Sequence, residues 1–521
     1  MGSKFTRRRF LTAVGASATC LALANTLGRE LAKRTSKTRS TTTSQPAQPE
    51  GAVTYGSPPS SQRGVLAFRS RPDLSPPAVE VAKEARDDTA PGYIFVAPEK
   101  GDAGQGGSMI LDNAGQPVWL RLLQNEDLDM MNFRAQTYKG ETVLTWWEGY
   151  YTGYGQREYV IFDSSYREIA RLTAGNGYNG DHHEFLISPQ DTALITIYDA
   201  VPWDLSSIGG SRRGVVYQCI VQELDIQTGE VLFEWQSINH VGLEETYATL
   251  LQDGRPGIDY FHINSIDVDH DNNLLVSARE TSAVYKIDRK TGEVIWRLGG
   301  KWSDFEMGPG TRFAYQHDAR RQRDGTITIF DNGNTVFHNG LPKVIEESRG
   351  IVLGLEERKM KATLVREYTH PDKQYADAAG NVQVLPNGGV FVGWGRALAI
   401  SEFSHEGELL FDASLLRKNK SYRAFRFPWS GSPSDQPAAV AERTSENELE
   451  LYASWNGATE IAIWEVLAGQ HQGRLESLGQ VPRNGFETAM VVRTSDPYVA
   501  VRAKDRWGRA LGTSKVLRPG S

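Results

Sequence analysis

Two segments of this chain are near copies: VQELDIQTGEVLFEWQS at 221–237 and VYKIDRKTGEVIWRLGG at 284–300. Each alternates apolar and polar residues, turns at D-x-x-T-G-E, and returns as a second strand ending near a tryptophan. Repetition on this scale outranks local signals, because such a unit buries its apolar face only against its neighbours. Weaker copies stand at 108–123, 159–175, 351–368 and 400–416. The last five copies each follow another strand–turn–strand, for example HHEFLISPQDTALITIYD and INSIDVDHDNNLLVSARE. The first unit begins at GYIFVAP, one strand short, and SYRAFRF at 421–427 is the candidate to complete it. Four antiparallel strands repeated six times predict an all-β chain, a six-bladed β-propeller over 91–428.

Composition agrees, with 51 Gly and 12 Trp in 521 residues suiting short strands, tight turns and aromatic packing. A net charge of −7 supplies no basic patch for nucleic acid. Past the repeats, ELELYASWNGATEIAIWEVLAG and YVAVRAKDRWGRALGTSKVL predict a fibronectin type III- or immunoglobulin-like β-sandwich over 429–521. Its role is either a packed cap or a platform for substrate or partner.

The N-terminus reads as an address. TRRRFL leads into an apolar run that ends in the small-x-small triplet Ala22-Leu23-Ala24, so 1–24 is expected to be a twin-arginine signal peptide. The run is too short for a permanent membrane span. The expected location is extracellular, cell-envelope or periplasmic. Residues 25–90, rich in Ser, Thr, Pro and Arg, are expected to form a disordered tether, with GVLAFRSRP (64–72) against the domain that follows. Removal of the leader takes Cys20 away and leaves Cys219, so no intrachain disulfide is expected.

Chemistry enters with the histidines. His183 (beside His182), His262 and His317 stand just before the innermost strands of three consecutive units. Propeller symmetry would gather them near the axis at one mouth. Arg279, at the end of the second strand of the His262 unit, would project towards the same rim. Tyr260, Trp147 and Tyr315 are the candidate substrate-binding aromatics. Three imidazoles could hold zinc with one position open, but no His-x-His or HExxH pairing is present and Arg279 would repel the ion. The DVDHDNN run imitates a calcium loop without its Gly and Glu. No metal and no cofactor are expected. Group transfer to nitrogen is the other answer. A neutral imidazole is a nucleophile, and positioned cations stabilise the spread charge of a loose sulfuryl- or phosphoryl-transfer transition state.

DHHEF, DYFHINSIDVD…LLVSAR…VYKID, TGEVIWRLGG and YQHDAR…FDNGN together resemble the arylsulfotransferases that need no nucleotide donor. The resemblance covers about 91–427. It implies a six-bladed propeller and ping-pong sulfuryl transfer between phenols through a sulfohistidine. It also implies His317 as nucleophile, His262 and His183 (or His182) as sulfuryl-stabilising or acid–base residues, and Arg279 as oxyanion clamp. Aryl sulfates and phenols are then the partners. The better-known members carry a sandwich before the propeller, whereas here it follows. A non-catalytic propeller binding a small ligand or glycan in its channel, or a hydrolase or lyase using the same histidines, stands as the alternative. The sequence sets no oligomeric state.

Overall fold

The D-x-x-T-G-E repeats fold as hairpins for a local reason. Asp225 and Asp288 each accept backbone N–H bonds at 2.8–2.9 Å from the residues two and three positions on. Gly229 and Gly292 then reverse the chain at φ 73° and 79°, a region that favours glycine. The structure is a computed structural model that describes residues 51–57, 64–125, 127–151, 155–250, 257–333 and 347–519. The expected leader and residues 25–50 lie outside that range.

All six hairpins read from the repeats pair antiparallel. So do the five strand–turn–strand units before them. Ser421–Phe427 completes the first sheet by pairing with Tyr93–Pro98, in the register Phe425↔Phe95. The innermost strands are Asp129–Tyr138, Gly180–Ile187, Ile263–Val268, His317–Arg321, Asn381–Val384 and Ser421–Phe427. Each touches the next, and the last returns to the first. The second and third four-strand units join at Gly180↔Arg157 into one larger sheet, and six apolar clusters lie between successive units, so both faces of each unit are covered.

Two further four-stranded sheets share a core around Trp455, Trp464 and Val501. They dock on the repeats through the Asn456 amide, which exchanges two 2.8 Å bonds with the backbone of Leu120. Tyr166 donates its hydroxyl to the Gly457 carbonyl at 2.7 Å.

The tether expected over 25–90 is corrected for its described part. Val53–Tyr55 adds an edge strand to the C-terminal sheet through Glu487–Val492. Val79–Lys83 adds a fifth strand to the last repeat sheet beside Leu409–Leu415. The V-E-V-A-K alternation supplies that strand, a short signal hidden by the polar average of the whole segment. Phe68, in the stretch expected against the following domain, packs on Phe486 with ring centroids 4.5 Å apart. No described helix is long and apolar enough to cross a membrane. Cys219, free, is buried.

Candidate functional site

Five of the six innermost strands slip register within a few residues of their start, at Met131/Arg134, Asp181/Phe185, Ile263/Ser265, His317/Arg320 and Ser421/Ala424. Bulges of this kind bend a strand and re-aim its side chains. His262 and Asp318 take φ 55° and 56°, left-handed values that non-glycine residues hold only when their surroundings enforce them. Two layers result. The upper one brings His183, His262, His317, Arg279 and Tyr422 around a cavity of about 260 Å³.

Beneath it, the next residues form a buried polar lock. Glu184 accepts from Arg134 (2.6 Å), from Arg423 (3.2 Å) and from Arg320. Arg423 also bonds Asn132 Oδ1 at 3.0 Å and the Asn264 carbonyl at 2.7 Å, and its Nε lies 3.3 Å from Asp318. The lock fixes the strands that carry the histidines.

The imidazoles are oriented by partners of two kinds. His183 Nδ1 bonds Asp181, and His262 Nδ1 bonds Asp259, so chemistry on a ligand falls to their Nε2 atoms. Their rings stand nearly perpendicular, with centroids 4.9 Å apart. His317 has neutral partners. Its Nδ1 donates to Asn332 Oδ1 at 2.8 Å and faces the Tyr315 carbonyl at 3.0 Å, while Nε2 accepts the Ala379 N–H at 3.2 Å. That set fixes a neutral ring with its lone pair on Nε2.

Burial holds the His183 pKa down at about 3, although Asp181 opposes the shift. Burial, and then the charge of Arg279, holds that of His317 well below its usual value. Both rings are therefore neutral near pH 7. Arg279 is kept fully charged against its burial by Glu280 and Asp259. Its Nε and Nη2 grip Glu280, with Nε at 3.0 Å, and its guanidinium lies over the Tyr315 ring, 5.3 Å from the centroid. Two sets of side chains could each hold a cation, Asp181–His182–His183 and Asp259–His262–Glu280. In both, a carboxylate oxygen already bonds a histidine Nδ1.

The arylsulfotransferase (ASST) family model matches residues 134–415, more than half of the chain and every histidine of the cavity. The chain belongs to the arylsulfotransferase family. No curated protein matches it. A Bacteroides caccae protein of unknown function aligns at 14% identity over 64% of this chain and 98% of its own, with TM-score 0.39. Staphylococcus aureus virginiamycin B lyase aligns at 10% identity over 80% and 98%, with TM-score 0.33. Kuenenia stuttgartiensis hydrazine synthase aligns at 12% over 71% and 94%, with TM-score 0.32. Scores this low say nothing about chemistry.

In this arylsulfotransferase-family chain, His183, His262, His317 and Arg279 border one cavity, and His182 borders it too. The three aromatics read as substrate-binding do not line it. Tyr260 is wholly buried in the core between the third and fourth units. Trp147 is wholly buried between the second and third, donating to the Gly180 carbonyl at 3.1 Å. Both faces of the sheets are covered, so large rings at these places fill the wedges between them. Tyr315 acts one step back, carrying Arg279 on its ring and facing His317 with its carbonyl.

Residues outside the sequence reading border the cavity or hold its imidazoles. The Tyr422 ring stands edge-on to His182, His183 and His317 at 5.3, 5.5 and 6.2 Å. Asp181 and Asp259 orient two imidazoles. The signals were an Asp one or two residues before the paired histidines and three before His262, and an arginine at an inward position of SYRAFRF.

Proposed function

We propose that this chain is a six-bladed propeller with a C-terminal sandwich of the fibronectin or immunoglobulin kind, exported by the twin-arginine route. In this reading it moves a sulfuryl group from an aryl sulfate to a phenol. The observation that carries it is the convergence of a neutral imidazole with Nε2 as acceptor, two carboxylate-oriented imidazoles and a charged Arg279 on one cavity, in a chain of this family.

His317 Nε2 attacks the sulfur of the donor. The S–O bond breaks as N–S forms, and the departing phenolate takes a proton from Nε2 of His262, the ring that Asp259 orients. In the second half the acceptor oxygen attacks, N–S breaks, O–S forms, and the acceptor's proton returns to His262. Arg279 offers donors to the sulfuryl oxygens as their charge grows, while the neutral His183 ring, its proton on Nδ1 towards Asp181, presents Nε2 as an acceptor. The Ala379 N–H, displaced from His317 Nε2 by the new bond, is placed to join Arg279.

The test is p-nitrophenyl sulfate with and without phenol. Steady nitrophenol release only with acceptor supports transfer, and equal release without it supports hydrolysis. With donor alone, the peptide holding His317 should gain about 80 Da, the sulfuryl adduct of a covalent route. His317→Ala should abolish that gain. An adduct on another residue, or none with turnover intact, sinks the assignment.

A further inference from the structure

The histidine cavity has a wall that the transfer chemistry leaves idle. His317, His262 and Arg279 face the sulfuryl group and the bridging oxygen, so the aryl ring of a substrate must lie on the rest of the lining. Charge does not choose its place there. Lys420 stands beside Glu99, whose N–H bonds the Lys420 carbonyl at 2.7 Å, and Arg396 pairs with Asp377 at 3.4 Å. The other lining is largely aromatic and apolar. Tyr422 and Met131, 6% and 1% exposed, lie deep, and Tyr151, 39% exposed, stands at the mouth.

One side chain joins the two ends. His182 meets the Tyr422 ring at 5.3 Å and 80°, and the Tyr151 ring at 5.1 Å and 85°. Edge-to-face contacts of this kind hold rings in fixed relative positions. His182 also lacks what orients a reacting imidazole. Its Nδ1 lies 3.3 Å from Asp181 Oδ2 without a hydrogen bond, whereas His183 Nδ1 bonds the other oxygen of the same carboxylate. Of the paired histidines, His183 therefore faces the chemistry and His182 forms the middle of an aromatic wall.

The volume limits what this wall can receive. An apolar cavity of about 150 Å³ takes up one benzene ring, so the 260 Å³ here hold one ring together with its sulfuryl group. A second fused ring has to pass Tyr151. We infer that Tyr422, His182 and Tyr151 form the aryl subsite, that it takes single-ring phenols and their sulfates, and that Tyr151 sets this limit. The inference rests on the sulfuryl-transfer reading of the same cavity.

The test compares the full chain with its Tyr151→Ala variant, a change at an exposed position. Phenol and 1-naphthol serve as acceptors from p-nitrophenyl sulfate, and the ratio of their kcat/KM values is read in both proteins, so the intrinsic reactivity of each acceptor cancels. Tyr151→Ala should shift that ratio towards 1-naphthol about tenfold or more. Calorimetric titration with benzenesulfonate reads the wall without turnover, since its C–S bond cannot serve as a sulfuryl donor. Tyr151→Ala should weaken this binding about threefold or more. An unchanged ratio with transfer intact would overturn the inference and leave the transfer reading standing. Benzenesulfonate binding that the variant weakens, with no transfer to either acceptor, would support the wall and overturn the transfer reading instead. Absence of binding, or binding that the variant ignores, would overturn the wall.

Discussion

His317 allows a clean electrostatic prediction, because every group that bonds its ring is neutral. Its folded pKa lies well below the unfolded 6.5, through burial and then Arg279. Below pH 6.5 the unfolded chain takes up a proton there that the folded chain refuses, so the stability present above 6.5 drains away as pH falls. One such group costs about 1.4 kcal/mol per pH unit. Between pH 6.5 and 5 that comes to about 2 kcal/mol, well within the reach of urea titration. The measurement is the unfolding free energy of wild type and His317→Gln at pH 7.5, 6.5, 5.5 and 5. The difference between them should be constant above 6.5 and should move by about 2 kcal/mol in favour of the variant by pH 5. Other titrating groups cancel in the difference. Parallel curves down to pH 5 would mean that His317 takes its proton as readily folded as unfolded, and the neutral nucleophile would be refuted.

Arg279→Gln should slow transfer about a hundredfold, if its charge meets growing negative charge on the sulfuryl oxygens; single-turnover nitrophenol release from the folded protein reads it. Glu184→Gln should cost about 3–5 kcal/mol in a denaturation experiment, because Arg134, Arg320 and Arg423 all lose the carboxylate they share in a buried site. Tyr260→Phe should leave kcat and KM for p-nitrophenyl sulfate unchanged, since that ring lies in the core away from the cavity; a raised KM would return it to the site. Deleting residues 51–57 should expose the Glu487–Val492 edge, read as faster hydrogen exchange at Val491 and its neighbours.

The strands were legible because period-two alternation and the D-x-x-T-G-E turns are local. The pairing of SYRAFRF with the first sheet followed from counting, since a unit one strand short needs a strand from elsewhere. His183, His262 and His317 were legible as a group because repetition places equivalent positions together. The aromatic assignments failed at Tyr260 and Trp147 for a specific reason. Both faces of these sheets are covered, so alternation only chooses which wedge a strand residue fills, Trp146 entering one and Trp147 the other, and Tyr260 joins a core from the connection before its strand. The polar lock was hidden because its members come from five strands far apart in the chain, and only the bulges aim them at one point. Val53–Tyr55 and Val79–Lys83 were masked by the polar stretches around them.

Ser421–Phe427 supplies both the last rung of the first sheet and, through Tyr422 and Arg423, the underside of the histidine cavity. A growing chain therefore holds all three imidazoles and Arg279 long before it can seat them. Assembly of the histidine cavity waits on the junction of the earliest and latest parts of the repeats, so an incomplete translation product lacks it.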